Sequence, residues 1–206
     1  SNPDPFHAGE KAVQARLGVE ERMLDVGRRV IRAYMPDQHR EFYAQLPFVL
    51  VGSVDPLGRP WASVLVGEPG FMRSPDPTHL NIQARPVPGD PLAQGLVPGA
   101  PLGFLGIELH TRRRNRMNGH VESVADGRLS VAVDQTVGNC PQYIQGRETE
   151  WAREAGDNTP RDTTALDRLD AHALAMVRAA DTLFVATRAP ADGERPGSAD
   201  VSHRGG

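Results

Sequence analysis

The apolar runs of this chain are short, as at Phe48 to Val51, and glycines and prolines stand between them. Glycine (21) and proline (18) make up almost a fifth of the 206 residues, against roughly 12% in an average protein. Runs this short, β-branched and bounded by turn formers, read as strands. They fall far below the ~18 apolar residues that a membrane-spanning helix needs. Nothing near Ser1 has the charged start and apolar core of a signal segment. The reading is a protein without membrane contact, in the cytoplasm. A single cysteine, Cys140, permits no disulfide within the chain and no CxxC metal site, in keeping with a reducing compartment. The net charge of −3 argues against a nucleic-acid binder.

Helical spacing comes first along the chain. Val13, Leu17, Met23, Leu24, Val30, Ile31 and Tyr34 recur at that spacing between Glu10 and Met35, with Gly18 and Gly27 weakening continuity. Pro36 closes this segment, and Asp37 is expected to cap a short helix carrying Phe42 and Leu46 on one face. The period changes at Phe48. Phe48 to Val54 and Trp61 to Val66 read as a hairpin around Asp55-Pro56-Leu57-Gly58. Further strands are expected at Leu80 to Gln83, Leu102 to Leu109, Arg112 to Val124 and Leu129 to Val133, the last two joined at Asp126-Gly127. Six antiparallel strands joined by turns suggest a small barrel.

After Trp151 the chain turns polar. Asp162 or Thr163 is expected to cap a helix with Leu166, Leu169, Leu174, Val177 and Ala180 on one buried stripe. Leu183 to Thr187, a turn at Asp192-Gly193, and Ala199 to Gly206 follow. This ending echoes Gln38 to Val66, with Ser202 set against Ser63, as after duplication of a domain. The expected organisation is a helical segment over 1–46, a barrel over 47–150, and over 151–206 a helix that starts a second, incomplete barrel repeat. Such a repeat would continue past Gly206 or complete another barrel.

Chemistry concentrates in Thr111 to Gly119. On a strand, Arg112, Arg114 and Arg116 share one face, with Arg113 and Asn115 on the other. Three guanidiniums on one face call for an anion, and paired donors match phosphate oxygens; a solvated face in an arginine-rich chain is the alternative. All but one of the 23 basic residues are arginines, Lys11 being the exception. Gly138 to Tyr143 reads as a tight loop presenting Asn139, with Cys140 an inert thiol rather than a nucleophile. The seven histidines have no metal-ligand spacing. There is no GxGxxG or GxxxxGK[ST] motif, and no catalytic residue is assigned.

The stretch from Pro47 to Ser63, the arginine-rich strand ending at Asn118-Gly119, and Gly138 to Gln145 together resemble the pyridoxamine 5′-phosphate oxidase-like FMN-binding split-barrel family. The motif Asn139-Cys140-Pro141 is similar to that of a bacterial flavin-nucleotide-binding subgroup. The resemblance implies a mainly β (α+β) fold, a six-stranded antiparallel split β-barrel with flanking helices. It also implies a homodimer with FMN in a groove between two chains, acting as an oxidoreductase on an unknown small molecule. Carried onto this chain, Trp61, Ala62, Ser63 and Val64 would line the ring and ribityl chain. Gln83 and Arg85 would hold the phosphate, and Arg112 and Arg114 would reach the phosphate or ring edge. Asn139, Ser202 and Arg204 complete the expected cofactor contacts. The chain lacks the basic residue that true oxidases of pyridoxamine phosphate carry near the end of the second strand; Val66 and Gly67 stand there. Trp61, Leu65, Phe104 and Leu105 exceed what one small barrel is expected to bury, which also predicts an apolar dimer interface. The alternatives are a flavin-free binding module with a vestigial pocket, or a barrel holding deazaflavin or haem.

Overall fold

Alternation gives strands such as Pro60–Val66 one inward face, whereas Phe48–Val54 and Pro101–Glu108 are buried on both faces. The turns between strands favour antiparallel pairing. The computed structural model describes residues 5–154, 156–157, 159–160, 162, 164–191 and 197–205. Seven strands form one sheet: β1 (Phe48–Val54), β2 (Pro60–Val66), β3 (Met72–Arg73), β4 (His79–Gln83), β5 (Pro101–Glu108), β6 (Arg113–Ala125) and β7 (Arg128–Asn139). Their order is β2-β1-β5-β6-β7-β4-β3, and every pairing is antiparallel. The sheet curls on itself. Leu65 of β2 shares one buried cluster with Leu80 and Ile82 of β4, near the opposite edge, and with Val49, Phe104 and Val131 between them. Strands β2 and β3 do not pair with each other, so the barrel is split there. The fold is thus mainly β, a split barrel with flanking helices. The strand beyond the expected six is the two-residue β3, too short to leave a periodic signal in the sequence.

Helix α3 (Asp37–Gln45) seats Phe42 and Tyr43, with Leu46 just beyond its end, in the barrel core. Tyr43 Oη donates to the Asn115 carbonyl at 3.1 Å. Asp37 does not cap this helix; it is its first residue, and its carboxylate accepts from Arg40 at 2.9 Å. Upstream, the helical spacing resolves into α1 (Ala8–Arg16) and α2 (Glu20–Val30), broken near Gly18. Their apolar stripe is largely unpacked, since Val13, Leu17 and Val30 are exposed. A one-turn helix, α4 (Leu92–Gly95), lies between β4 and β5.

The C-terminal region departs from expectation. Helix α5 (Ala171–Ala179) is capped by Asp170, whose carboxylate accepts from the Ala173 amide at 2.8 Å. Asp162 lies well upstream of it, and Thr163 falls outside the described residues, as does the expected turn at Asp192-Gly193. Leu166 and Leu169 precede the helix and are exposed, and α5 buries no residue, so the expected buried stripe does not form. Strands β8 (Thr182–Ala189) and β9 (Ser198–Gly205) make a separate antiparallel hairpin. It packs across the outer face of β1 and β5. Val201 is fully buried there in a second apolar cluster with Leu50, Leu105, Ile107 and Ile144, flanked by Phe48 and Phe184. Backbone meets backbone at this junction. A Cβ on Gly52 would lie 2.7 Å from the Asp200 carbonyl oxygen, and one on Gly103 would lie 2.6 Å from Asp200 Cα, so only glycine fits at either position.

Leu65, Phe104 and Leu105 are therefore at most 1% exposed within the single chain. Three of the four residues whose apolar surface predicted a partner are thus covered, and Trp61 stays partly exposed. Among the described residues, no helix is long and apolar enough to cross a membrane.

Candidate functional site

The residues expected to contact a cofactor separate into two groups and a remainder. Trp61 and Ser63 belong to the remainder because both serve local structure. Trp61 Nε1 donates to Asp55 Oδ2 at 3.0 Å, beside Arg59, whose guanidinium sits 5.6 Å from the indole centroid. Burial works against ionisation of the Asp55 carboxyl. Donation from Trp61 and Arg59 outweighs it and holds the pKa well below the usual carboxylate range. Ser63 points into the barrel, where its hydroxyl donates to Asp90 Oδ1 at 2.6 Å, and the same oxygen accepts from the Leu92 amide at 2.8 Å. Ala62 is exposed on the outer side of β2. Arg112 does not lie on the β6 face. It ends the preceding turn with φ of 56°, its amide donating to Leu109 at 3.3 Å.

The first group lines a groove of about 1590 Å³. Val64 and Val66, on the outer side of β2, face it together with Phe48 from β1, Gln83 from the end of β4, Arg85 and Arg128. Gln83 is tied to the Asp126 carbonyl at 3.4 Å, and the Arg85 guanidinium lies against Gly127. The segment around Trp151 closes one side.

The second group meets where β9 crosses β6. Strand alternation places Arg114 and Arg116 on the face toward β9 and Arg113 on the other, where its guanidinium stacks 5.0 Å from the Phe42 ring centroid. Arg114 Nε donates to the Cys140 carbonyl at 2.9 Å, and its Nη1 lies 3.1 Å from His203 Nδ1. An arginine can only donate, so Nδ1 accepts and the proton of His203 resides on Nε2. Arg116 is paired with Asp200 and donates to Ser202 Oγ at 2.9 Å. Asn139 stands directly opposite Arg114 in the β6–β7 ladder. Arg204 is exposed at the rim and donates to the His203 carbonyl at 3.4 Å.

This junction is electrostatically unfinished. Among the described residues, no carboxylate lies within ion-pairing distance of Arg114. Burial lowers the Arg114 pKa, and the nearby charges of Arg116 and Arg204 lower it further. His203 is only 4% exposed. Burial, then Arg114 and Arg204, hold it below the ordinary imidazole value, so it is neutral at physiological pH. Of seven buried polar side-chain atoms without a hydrogen-bond partner among the described residues, four lie here: Arg116 Nε, Asn139 Oδ1, Asp200 Oδ1 and His203 Nε2. Orphans of this kind cost about 1–3 kcal/mol each unless a ligand or water satisfies them. The uncompensated guanidinium and the two orphaned donors, Arg116 Nε and His203 Nε2, suit an anion, whereas Asn139 Oδ1 and Asp200 Oδ1 are acceptors that call for donors instead.

Arg114, Asn139, Ser202 and Arg204 were all legible in the sequence as candidates. Arg116 was expected on the anion-binding strand face but not among the cofactor contacts, and His203 as a possible ligand contact set against an exposed terminal histidine. A histidine at an extended chain end carries no burial signal of its own, so its docking beside Arg114 decides between the two readings.

No family model matches the sequence, and no curated protein does. Solved structures with a similar chain path include a HupZ variant from Group A Streptococcus, 14% identical over 51% of this chain and 99% of that one, with a TM-score of 0.39. Another is an F420 reductase, 15% identical over 48% of this chain and 94% of that one, with a TM-score of 0.31.

Proposed function

We propose that this chain binds FMN, with the phosphate at the junction of β6 and β9, and serves as a flavin-dependent oxidoreductase. The observation that carries the reading is the Arg114 guanidinium, without a carboxylate partner among the described residues, beside the buried and unpartnered His203 Nε2 donor. Arg114 would hold the phosphate by charge-assisted donation, His203 Nε2 would donate a second bond, and Arg204 would close the solvent side. The Asn139 side-chain amide would donate a further bond to the same oxygens. The resemblance of the Pro47–Ser63 hairpin and of the Asn139-Cys140-Pro141 loop to flavin-binding split barrels supports the choice of FMN among phosphate-bearing cofactors. A bound flavin supplies the hydride chemistry. The protein's own part is to neutralise the phosphate, orient the ring and keep water from it. The role of Asp200 is to hold Arg116, so that Arg116 fixes Ser202 rather than competing for the ligand.

Replacement tests this reading directly. A hydrogen bond to a charged group contributes about 1.5–3 kcal/mol, so Arg114→Ala should weaken FMN by roughly ten- to a hundredfold, read from quenching of flavin fluorescence on titration into apo protein. Arg114→Lys should recover only part of that, because the ammonium lacks the fork. Arg113→Ala should leave affinity nearly unchanged, since that side chain stacks on Phe42. Equal losses at both arginines would mean diffuse attraction only, and absence of FMN binding by the unmodified chain would remove the flavin reading.

A further inference from the structure

Two segments of this chain repeat one design. Helix α3 has nine residues and is followed by Leu46-Pro47 and then β1; helix α5 has nine residues and is followed by Ala180-Asp181 and then β8. Each strand then pairs antiparallel with its successor, Val51 opposite Ser63 in one and Val185 opposite Ser202 in the other. With those pairs superposed, Phe42, Tyr43, Val49 and Val51 match Met176, Val177, Leu183 and Val185. The first four fill the barrel core, and the second four are apolar as well. On the last strand, the outward Ala62 and Val64 of β2 match Val201 and His203 of β9, the side chains through which β9 docks on the barrel.

The outer face of β1 and β5 therefore receives a strand of the β2 type. On that face β9 already stands where a β2-type strand of a second copy would lie, with Gly52 and Gly103 admitting the backbone of Asp200. Leu50, Leu105 and Ile107, which would otherwise call for a partner, are covered by Val201. The hairpin is tethered, so its effective concentration is of the order of mM and exceeds that of a free copy at ordinary protein concentrations.

We infer that α5–β8–β9 is an internal copy of α3–β1–β2 that takes, within one chain, the place of a partner barrel, so that the Arg114–His203 junction is completed in cis and every chain carries its own ligand site. The docking half of this inference stands independently of the ligand; the site half rests on the function proposed above.

A double replacement, Leu105→Cys with Val201→Cys in a Cys140→Ser background, tests the docking. Both side chains lie in the one buried cluster beneath the hairpin, so their thiols would face each other in the docked chain. Oxidation should give a cross-linked single chain that runs faster on a non-reducing gel. A covalent dimer would overturn the inference. Should the pair fail to fold, light scattering of the unmodified chain decides: the mass of one chain supports the inference and that of two overturns it. The site half is tested with FMN itself. Its affinity should stay constant when the unmodified chain is diluted, whereas a site shared between chains would lose FMN on dilution. If the chain binds no FMN at any concentration, the flavin reading falls while the cross-link still decides the docking.

Discussion

Arg114 is held by two uncharged acceptors, a backbone carbonyl and an imidazole nitrogen, which fix its direction without cancelling its charge. That combination separates it from Arg116, which Asp200 neutralises, and from Arg113, which is spent on an aromatic face. The imidazole beside Arg114 makes the site pH-sensitive. Burial and the charges of Arg114 and Arg204 keep His203 below its ordinary value in the free protein. A phosphate next to Nε2 would favour the protonated ring and raise that value. The complex then binds more protons than its components, so FMN affinity should rise as pH falls through the bound-state value and level off below the free-state one. Protonation of the phosphate itself, near pH 6, acts in the opposite sense. Comparison with His203→Gln separates the two, since only the unmodified chain should show the rise. Superimposable pH profiles would place the phosphate elsewhere.

Between elements, identical local design meets opposite surroundings. Phe42 and Tyr43 on α3 are closed over by the barrel, while Met176 and Val177 at the matching places on α5 stay at least half exposed. Truncating a fully buried aromatic removes its transfer energy and leaves a cavity, so Phe42→Ala should cost about 3–5 kcal/mol in urea unfolding. Met176→Ala should stay within about 0.5 kcal/mol, as for other surface substitutions. A large loss at Met176 would mean that α5 is packed in solution.

For the molecule as a whole, two apolar clusters share β1 and β5 as a common wall, one inside the barrel and one beneath the hairpin. Among the described residues, the connection between β7 and α5 buries almost nothing beyond Ile144. Limited proteolysis should therefore cut first between Trp151 and Asp170. The nicked protein should still migrate as one species under native conditions, because β9 remains held by Val201 and by the pairing of Arg116 with Asp200. Two separating fragments after a single cut would show that the hairpin's docking depends on the tether.

Periodicity and turn chemistry act over a few residues, and at that range the chain is explicit. The hairpin around Asp55 to Gly58, the turn at Asp126-Gly127, the breadth of the arginine-rich strand and the alternation of its side chains are all written in residue order. So is the echo of α3–β1–β2 near the C-terminus. Residue order does not state which surfaces meet. Leu65, Phe104 and Leu105 read as surplus until the curl of the sheet buries Leu65 and Phe104, and β9 covers Leu105. Arg112 reads as one of three equal arginines until a left-handed turn residue removes it from the strand. Burial, orphaned polar atoms and the pairing of His203 with Arg114 arise from segments 89 residues apart, and only the docked chain decides contacts over such separations.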